Sequence, residues 1–404
     1  MRTSYRILDA DRHVMEPIEI WRQYLPAELR PYAPYLADAE VEGTLDERVA
    51  LYGAKALFPS APVLMFDGKP AWQGISQRAQ VEMSWAAQGR YAHIAAATRP
   101  AGQLAAMDRS GVDMAFLYPT LGLYLMGIDT LDPQLGAAFA RAYNDWLRDY
   151  CSRDPVRLQG VGLMSTHDPA AMVDEAERVA DFGWHAVVLL PNPIHGRRLS
   201  DPAYEPFWSV CEGLSLAVAV HVGTHTRLPT VGADRFDSHF AQHACAHPME
   251  HMIALLALIE GGVFERHPRL RVAFLEAGCG WLPYWLYRLD EIEYAYLAAE
   301  VAETVKRKPS EYFQRQCFVS IEPDEPYLAA MIENIGAKTL IFGSDFPHPD
   351  HDDTIVARAV DLADVLARDT VRKILWDNAA RLYGLEEDRI GTTASSAQVP
   401  ETLS

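Results

Sequence analysis

The sequence predicts a closed (β/α)8 barrel, an α/β fold, and three observations carry that expectation. Eight short apolar, β-branched runs read as buried strands, helical periodicity fills most intervals between them, and several runs end on a residue able to bind metal or move a proton. The runs are 5–11, 114–119, 158–165, 186–191, 214–222, 271–276, 318–322 and 340–344. The competing open doubly wound sheet expects a Gly-x-Gly-x-x-Gly turn at the first βα junction, and this chain has none.

Each helical interval has its own pattern. Segment 135–150 sets Phe139, Tyr143, Trp146 and Leu147 at helical spacing, and 170–181, 249–265, 284–301 and 354–366 read likewise. From Pro17 to Pro100 the alternation breaks, over a stretch too long for a βα loop. There Val63 to Trp72 reads as a hairpin turning at Asp67-Gly68, and the insertion, about 18–100, is expected to cap the mouth of the barrel. A second long connection, 224–248, carries His225, His239, His243 and His247. With His251 the last three share a four-residue spacing that suits one helix face, although a second metal site there is not the expected reading. Residues 1–386 are thus read as one barrel domain, and the polar, Ser/Thr-rich stretch 387–404 as a disordered tail.

Composition removes several classes of function. The 404 residues carry a formal net charge of −19, which repels phosphate backbones, and no concentrated basic stripe offsets it. Nucleic acid is therefore not an expected partner. No apolar run approaches the roughly 20 residues that span a bilayer, and the chain starts without a hydrophobic signal region, so a cytoplasmic protein is expected. Five cysteines, odd in number and without a Cys-x-x-Cys pair, argue against a disulfide framework.

The chemistry gathers at strand ends. In a parallel barrel the C-terminal ends of strands converge on one face, so Asp11-Arg12-His13, His221, Glu276 and Asp345 meet there despite their separation in sequence. Two histidines with two or three carboxylates in one place make a divalent-metal site. Along 215–221 the bulky Leu216, Val218 and Val220 share one face, and the small Ser215, Ala217 and Ala219 share the other with His221. That leaves room inside for the imidazole and an ion. Asp11 and His13, two apart, point the same way; Asp9 shares their parity and is read as a supporting or structural group lower in the barrel. Taken singly, His221 reads as a core histidine, and a helix cap is the alternative reading for Asp345. Only the combination makes a site.

These segments together resemble the amidohydrolase superfamily, in particular its branch of metal-dependent decarboxylases of the aminocarboxymuconate-semialdehyde type and related hydrolases. The matching pieces are Ile7 to Pro17, His221-Val222-Gly223, Phe274 to Gly278 running into Trp281 to Trp285, Phe342 to His348, and Asn378 to Gly384. The resemblance implies a distorted (β/α)8 barrel with one divalent ion held by Asp11, His13, His221 and Asp345, zinc by first choice and manganese as the alternative. It also implies a homodimer and a small-molecule substrate. Asp345 and Glu276 are the expected catalytic groups. Related decarboxylases usually place a histidine where this chain has Glu276, which keeps two reactions open. One is loss of carbon dioxide from a small aromatic or unsaturated acid; the other is hydrolysis of a C–N, C–O or C–C bond by metal-activated water. A barrel that binds a ligand without turning it over is the third reading. Arg227, His225, Trp281, Phe346 and His348 are expected to contact substrate, and Tyr118, Tyr124 and Trp72 to make the mouth aromatic.

Overall fold

The computed structural model describes residues 5–40, 44, 60–71, 91–221, 227–348 and 354–385. Eight parallel strands form the barrel wall: β1 (Leu8–His13), β5 (Met114–Tyr118), β6 (Leu158–Leu163), β7 (Ala186–Leu189), β8 (Ala217–His221), β9 (Arg271–Leu275), β10 (Cys317–Ile321) and β11 (Leu340–Phe342), neighbours in that order. At the mouth the two outermost strands meet. Asp345 N donates to Asp11 O at 2.8 Å and His13 N donates to Phe346 O at 2.7 Å. Such close approach requires Gly343, because a Cβ there would lie 2.4 Å from Asp11 Cβ. All eight expected strands form, with ends displaced by a few residues.

The outer helices start where the sequence offers caps. Asp132 accepts from Gln134 N and Leu135 N at 3.0 and 3.1 Å, with Pro133 in the first turn, and opens helix Pro133–Cys151. Asp168 and Pro169 do the same for Pro169–Asp181. Both helices bury an apolar stripe on the sheet and turn charge outward: Arg141, Arg148 and Asp149 on the first, Asp174, Glu177 and Asp181 on the second. At the last helix among the described residues, Asn378 Nδ2 donates to Ala337 O and Leu340 O, each at 2.7 Å, pinning Asn378–Tyr383 to the foot of β11.

Between β1 and β5 lie helix Ile20–Tyr24 and a small antiparallel sheet of β2 (Tyr35–Glu40), β3 (Ser60–Phe66) and β4 (Lys69–Pro70). The expected hairpin is present, with positive φ at both Asp67 (51°) and Gly68 (68°). Most of the remaining insertion lies outside the described residues, Trp72 included, as does the tail 387–404.

Two helices depart from expectation. Ser238 caps a helix that runs His239–Glu260, ten residues upstream of the predicted start and straight through Pro248. Proline reads as a boundary because it lacks an N–H and crowds the preceding turn, and here tertiary packing overrides that signal. Segment 284–301 is interrupted by a π-helical stretch, Arg288–Tyr294.

Candidate metal centre

The site begins with an irregularity in β1. Leu8 pairs with Met114 and His13 with Tyr118, so five steps along β1 oppose four along β5. The extra residue, between Asp9 and Arg12, is a β-bulge, and it reverses side-chain parity. Asp9, opposite Ala115, therefore faces away from the side that carries His13 and Tyr118. Below the mouth it accepts Ser344 N at 2.8 Å, Ser344 Oγ at 2.5 Å and Arg12 Nη1 at 3.2 Å. Arg12, itself fully buried, also donates to Gln103 Oε1 at 3.1 Å, and Gln103 Nε2 reaches His13 O at 2.8 Å. Asp9 and Arg12 thus clamp the strand ends from behind, and the bulge turns Asp11 inward beside His13.

His13 Nδ1 lies 2.9 Å from Pro119 O. A carbonyl can only accept, so Nδ1 carries the proton and the lone pair of the neutral ring sits on Nε2. That Nε2 faces His221 Nε2 at 3.1 Å, Asp345 Oδ1 at 3.2 Å and Asp11 Oδ1 at 3.5 Å, while His221 Nε2 is 3.4 Å from Asp11 Oδ1. Lone pairs aimed at one another repel unless positive charge lies between them. The separations also match the edge of about 3.3 Å expected of a tetrahedral donor set around zinc. Asp11, His13 and His221 form one close trio; Asp345 belongs to a second that shares His13 and includes His348.

Electrostatics favour a cation at this spot. Burial alone would push the Asp11 carboxyl up, but His221 and His13 hold it below its usual value. Burial disfavours the His13 imidazolium, yet Asp11 and Asp345 keep it well above the ordinary histidine range. Two imidazoles and two carboxylates suit zinc or manganese, so the residues present fit a divalent ion.

Two further carboxylates at the mouth, one beside Asp11 and one beside His221, stand on left-handed backbone. Asp345 has φ 51° and Glu276 φ 60°, a region costly for any residue with a Cβ. Register places Phe274 opposite Val220, on the helix side of the sheet, and by alternation Glu276 should follow it there. The positive φ lets it turn back instead. Its Oε2 lies 3.4 Å from His221 Nε2, and its Oε1 lies 3.7 Å from His247 Nε2 on helix His239–Glu260. Asp345 Oδ1 is 2.7 Å from His348 Nδ1, and His348 Nε2 is 3.0 Å from Thr120 Oγ1. Because Thr120 spends its own hydroxyl proton on Val14 O at 2.9 Å, it accepts from His348 and fixes that ring.

Other expected site residues fall elsewhere or on other partners. Arg227 gives its donors to the hairpin: Pro70 O at 2.8 Å from Nε, then Phe66 O at 2.8 Å and Lys69 O at 2.7 Å from Nη2. Trp281 packs on Phe274 and His251 and donates to Gly278 O at 3.0 Å, on the helix side of β9. Phe346 lies under Arg12, 4.1 Å from the guanidinium carbon to its ring centre. Tyr118 is buried, its ring centroid 6.0 Å from that of His13 and 5.7 Å from that of His221. Tyr124 is half-buried on helix Leu121–Met126, and His225 lies outside the described residues. Sequence reading missed Thr120, which only tertiary contact brings to His348, and assigned no role to Arg12 or Gln103. Four-residue spacing had marked His247, but not its approach to Glu276.

An eight-stranded parallel barrel with this donor set at its C-terminal face defines a metal-dependent enzyme of the amidohydrolase type, and the chain belongs to the amidohydrolase family, whose model matches residues 91–385. Asp11 and His13 lie upstream of that match. Among individual relatives, 2-amino-3-carboxymuconate-6-semialdehyde decarboxylase of Dictyostelium discoideum is 26% identical over 260 residues, which is 64% of this chain and 69% of that one. Gamma-resorcylate decarboxylase of Rhizobium sp. strain MTP-10005 is 26% identical over 307 residues, 70% of this chain and 86% of that one. The fold is shared with 5-carboxyvanillate decarboxylase of Novosphingobium aromaticivorans, solved with manganese and 4-hydroxy-3-methoxy-5-nitrobenzoic acid. That match has a TM-score of 0.65 at 20% identity and covers 95% of this chain and 97% of the other.

Proposed function

We propose that the chain is a mononuclear metal-dependent decarboxylase acting on a small aromatic or unsaturated carboxylic acid. The observation that carries the reading is the convergence of Asp11, His13 and His221 donors, with Asp345 and Glu276 beside them at the open end of the barrel. Asp11, His13, His221 and Asp345 would hold the ion, zinc by first choice and manganese in view of the solved neighbour. When bound, the metal supplies a Lewis acid for the substrate carboxylate and an adjacent oxygen. Decarboxylation breaks the C–COO⁻ bond, releases carbon dioxide and leaves an electron pair on carbon that must take up one proton. Asp345 or Glu276 delivers it. His348, held by Thr120, keeps Asp345 Oδ1 in place. Arg227 ties the hairpin to the connection that follows His221, which supports the insertion as a cover over the mouth. The working state is a cytoplasmic homodimer, by likeness to the family.

A hydrolase is the second reading, and Glu276 favours it. A carboxylate 3.4 Å from a ligand imidazole is placed to take a proton from water as readily as to give one to carbon. A non-catalytic binding barrel is the third. The test is one panel on protein loaded with zinc or manganese: hydroxylated benzoates assayed for carbon dioxide, and amides, esters and lactones assayed for acid or amine. Carbon dioxide release supports the proposal, and turnover confined to the second set replaces it with the hydrolase. Tight metal binding with turnover of neither set leaves the binding barrel. Among the described residues no helix is long and apolar enough to cross a membrane.

A further inference from the structure

Glu276 stands on left-handed backbone that its own Cβ disfavours, and such strain persists only where neighbouring structure over-determines it. The structure that does so belongs to the next strand. Glu276 N donates to the buried Ser320 Oγ of β10 at 3.0 Å. The chain then curls at Gly278, whose φ of 59° turns the following amides toward one point. At that point stands the carboxylate of Glu325, from the connection after β10. Its Oε1 accepts Cys279 N at 3.0 Å and Gly280 N at 2.7 Å, while its Oε2 accepts Cys279 Sγ at 2.8 Å and Glu322 N at 3.1 Å. Burial, and then Glu325 itself, push the Cys279 thiol up, so it keeps the proton it donates. A Cβ at 278 would lie 3.0 Å from Glu325 Oε1, so the turn and the carboxylate are fitted to each other.

We infer that Glu325 is a positioning residue for Glu276: by fastening the turn 278–280 it fixes the direction in which the Glu276 carboxylate enters the mouth. The consequence for turnover rests on the catalytic role proposed for Glu276 above. Three of the four donors on Glu325 come from the turn that Glu276 begins, and one comes from its own connection. A half-buried glutamate would ordinarily leave most of its lone pairs to water, whereas this one spends both oxygens on the chain. The alternative path of Glu276 is also defined. Register on β9 points it toward the side of Phe274, so a turn released from Glu325 can relax its φ and let the carboxylate follow that alternation away from His221.

The experiment compares the metal-loaded full chain with Glu325→Ala, or with Glu325→Gln, which keeps one acceptor oxygen, if the alanine variant misfolds. Hydrogen–deuterium exchange over 276–282 and a crystal structure of the variant read the turn directly and decide the assignment even where no substrate is turned over. The expected result is faster exchange there, unchanged metal content, and Glu276 Oε2 displaced from its 3.4 Å approach to His221 Nε2. With the best substrate of the panel, kcat should fall about 10- to 100-fold with KM within about twofold, as when a reacting group is misplaced by an ångström. A double-mutant cycle with Glu276→Gln separates positioning from general support. A residue that acts through Glu276 costs little more once that carboxylate is gone, so the two losses should not multiply. Multiplied losses overturn the assignment, as do an unmoved Glu276 in the variant, loss of metal, or an undiminished kcat beside an impaired Glu276→Gln. Full activity in Glu276→Gln with Glu276 displaced in Glu325→Ala would instead strike the catalytic role of Glu276 and leave the positioning intact. Asp324→Asn is the control that should change nothing, since Asp324 shares the connection but pairs outward with Arg358 Nε at 2.9 Å.

Discussion

Two sets of residues at the barrel mouth reach the same spot by different means. In the first set Asp11, His13 and His221 come from strands whose pairing continues to their last residue, and a single bulge in β1 is the only irregularity needed to aim them. In the second set Glu276, beside His221, and Asp345, beside Asp11, lie just past the last paired residues of β9 and β11, on backbone in the left-handed region. The ordered set presents the trio of donors, fixed by hydrogen bonds behind them. The strained set presents carboxylates whose direction is set by an unfavourable local conformation that surrounding structure enforces, an arrangement found where function rather than stability selects geometry. One set is built to hold, and the other is built to aim.

Substitutions can break that division or sharpen it. The largest effect is expected from Asp345→Asn, which belongs to both tasks: turnover should fall at least about 1000-fold, as when a reacting acid is removed, with an unchanged circular dichroism spectrum. Near-normal turnover would remove Asp345 from the reaction. His221→Ala should lose most bound metal by inductively coupled plasma mass spectrometry, and activity with it; full occupancy in a folded variant would move the site elsewhere. Glu276→Gln should keep its metal and lose more than tenfold in kcat, in the range of lost acid–base assistance. If metal is lost instead, Glu276 holds rather than aims, and the contrast fails.

Stability effects come next. Arg12→Met leaves Asp9 buried without its cation and should cost about 3–5 kcal/mol in urea unfolding. A cost under 1 kcal/mol would show that Ser344 alone satisfies Asp9. The smallest effect is the most pointed. Glu276→Gly should raise stability by up to about 1 kcal/mol by relieving the positive φ while abolishing proton handling. A variant both less stable and inactive would mean that the left-handed turn stores no strain.

What the sequence made legible follows the same division. Regular strands announce themselves through apolar, β-branched runs, so the barrel and the two histidines could be read directly. The bulge could not. It adds no unusual residue, yet it reverses the facing of Asp9, which alternation alone placed on the side of Asp11. Glu276 was named as a site residue although strict alternation on β9 points it outward; the turn that brings it back is a backbone angle, which composition does not encode. Pro248 hid the first half of helix His239–Glu260 by acting as a stop signal that packing overruled. Trp281 and Arg227 show the opposite error, where residues of suitable chemistry near the right motifs are bound to other tasks.

Asp9 and Ser344 are 335 positions apart and share two hydrogen bonds just beneath the donors. Bringing the first and last strands together closes almost the whole chain into one loop, which the pairing of each intervening strand with the next shortens. The donor set is incomplete until that seam closes. An ion held by all four residues would therefore be captured at the end of folding, and one bound tightly only by the closed barrel would pull the equilibrium toward it. In the cell, metal supply would set how much finished protein accumulates as well as how fast each molecule works.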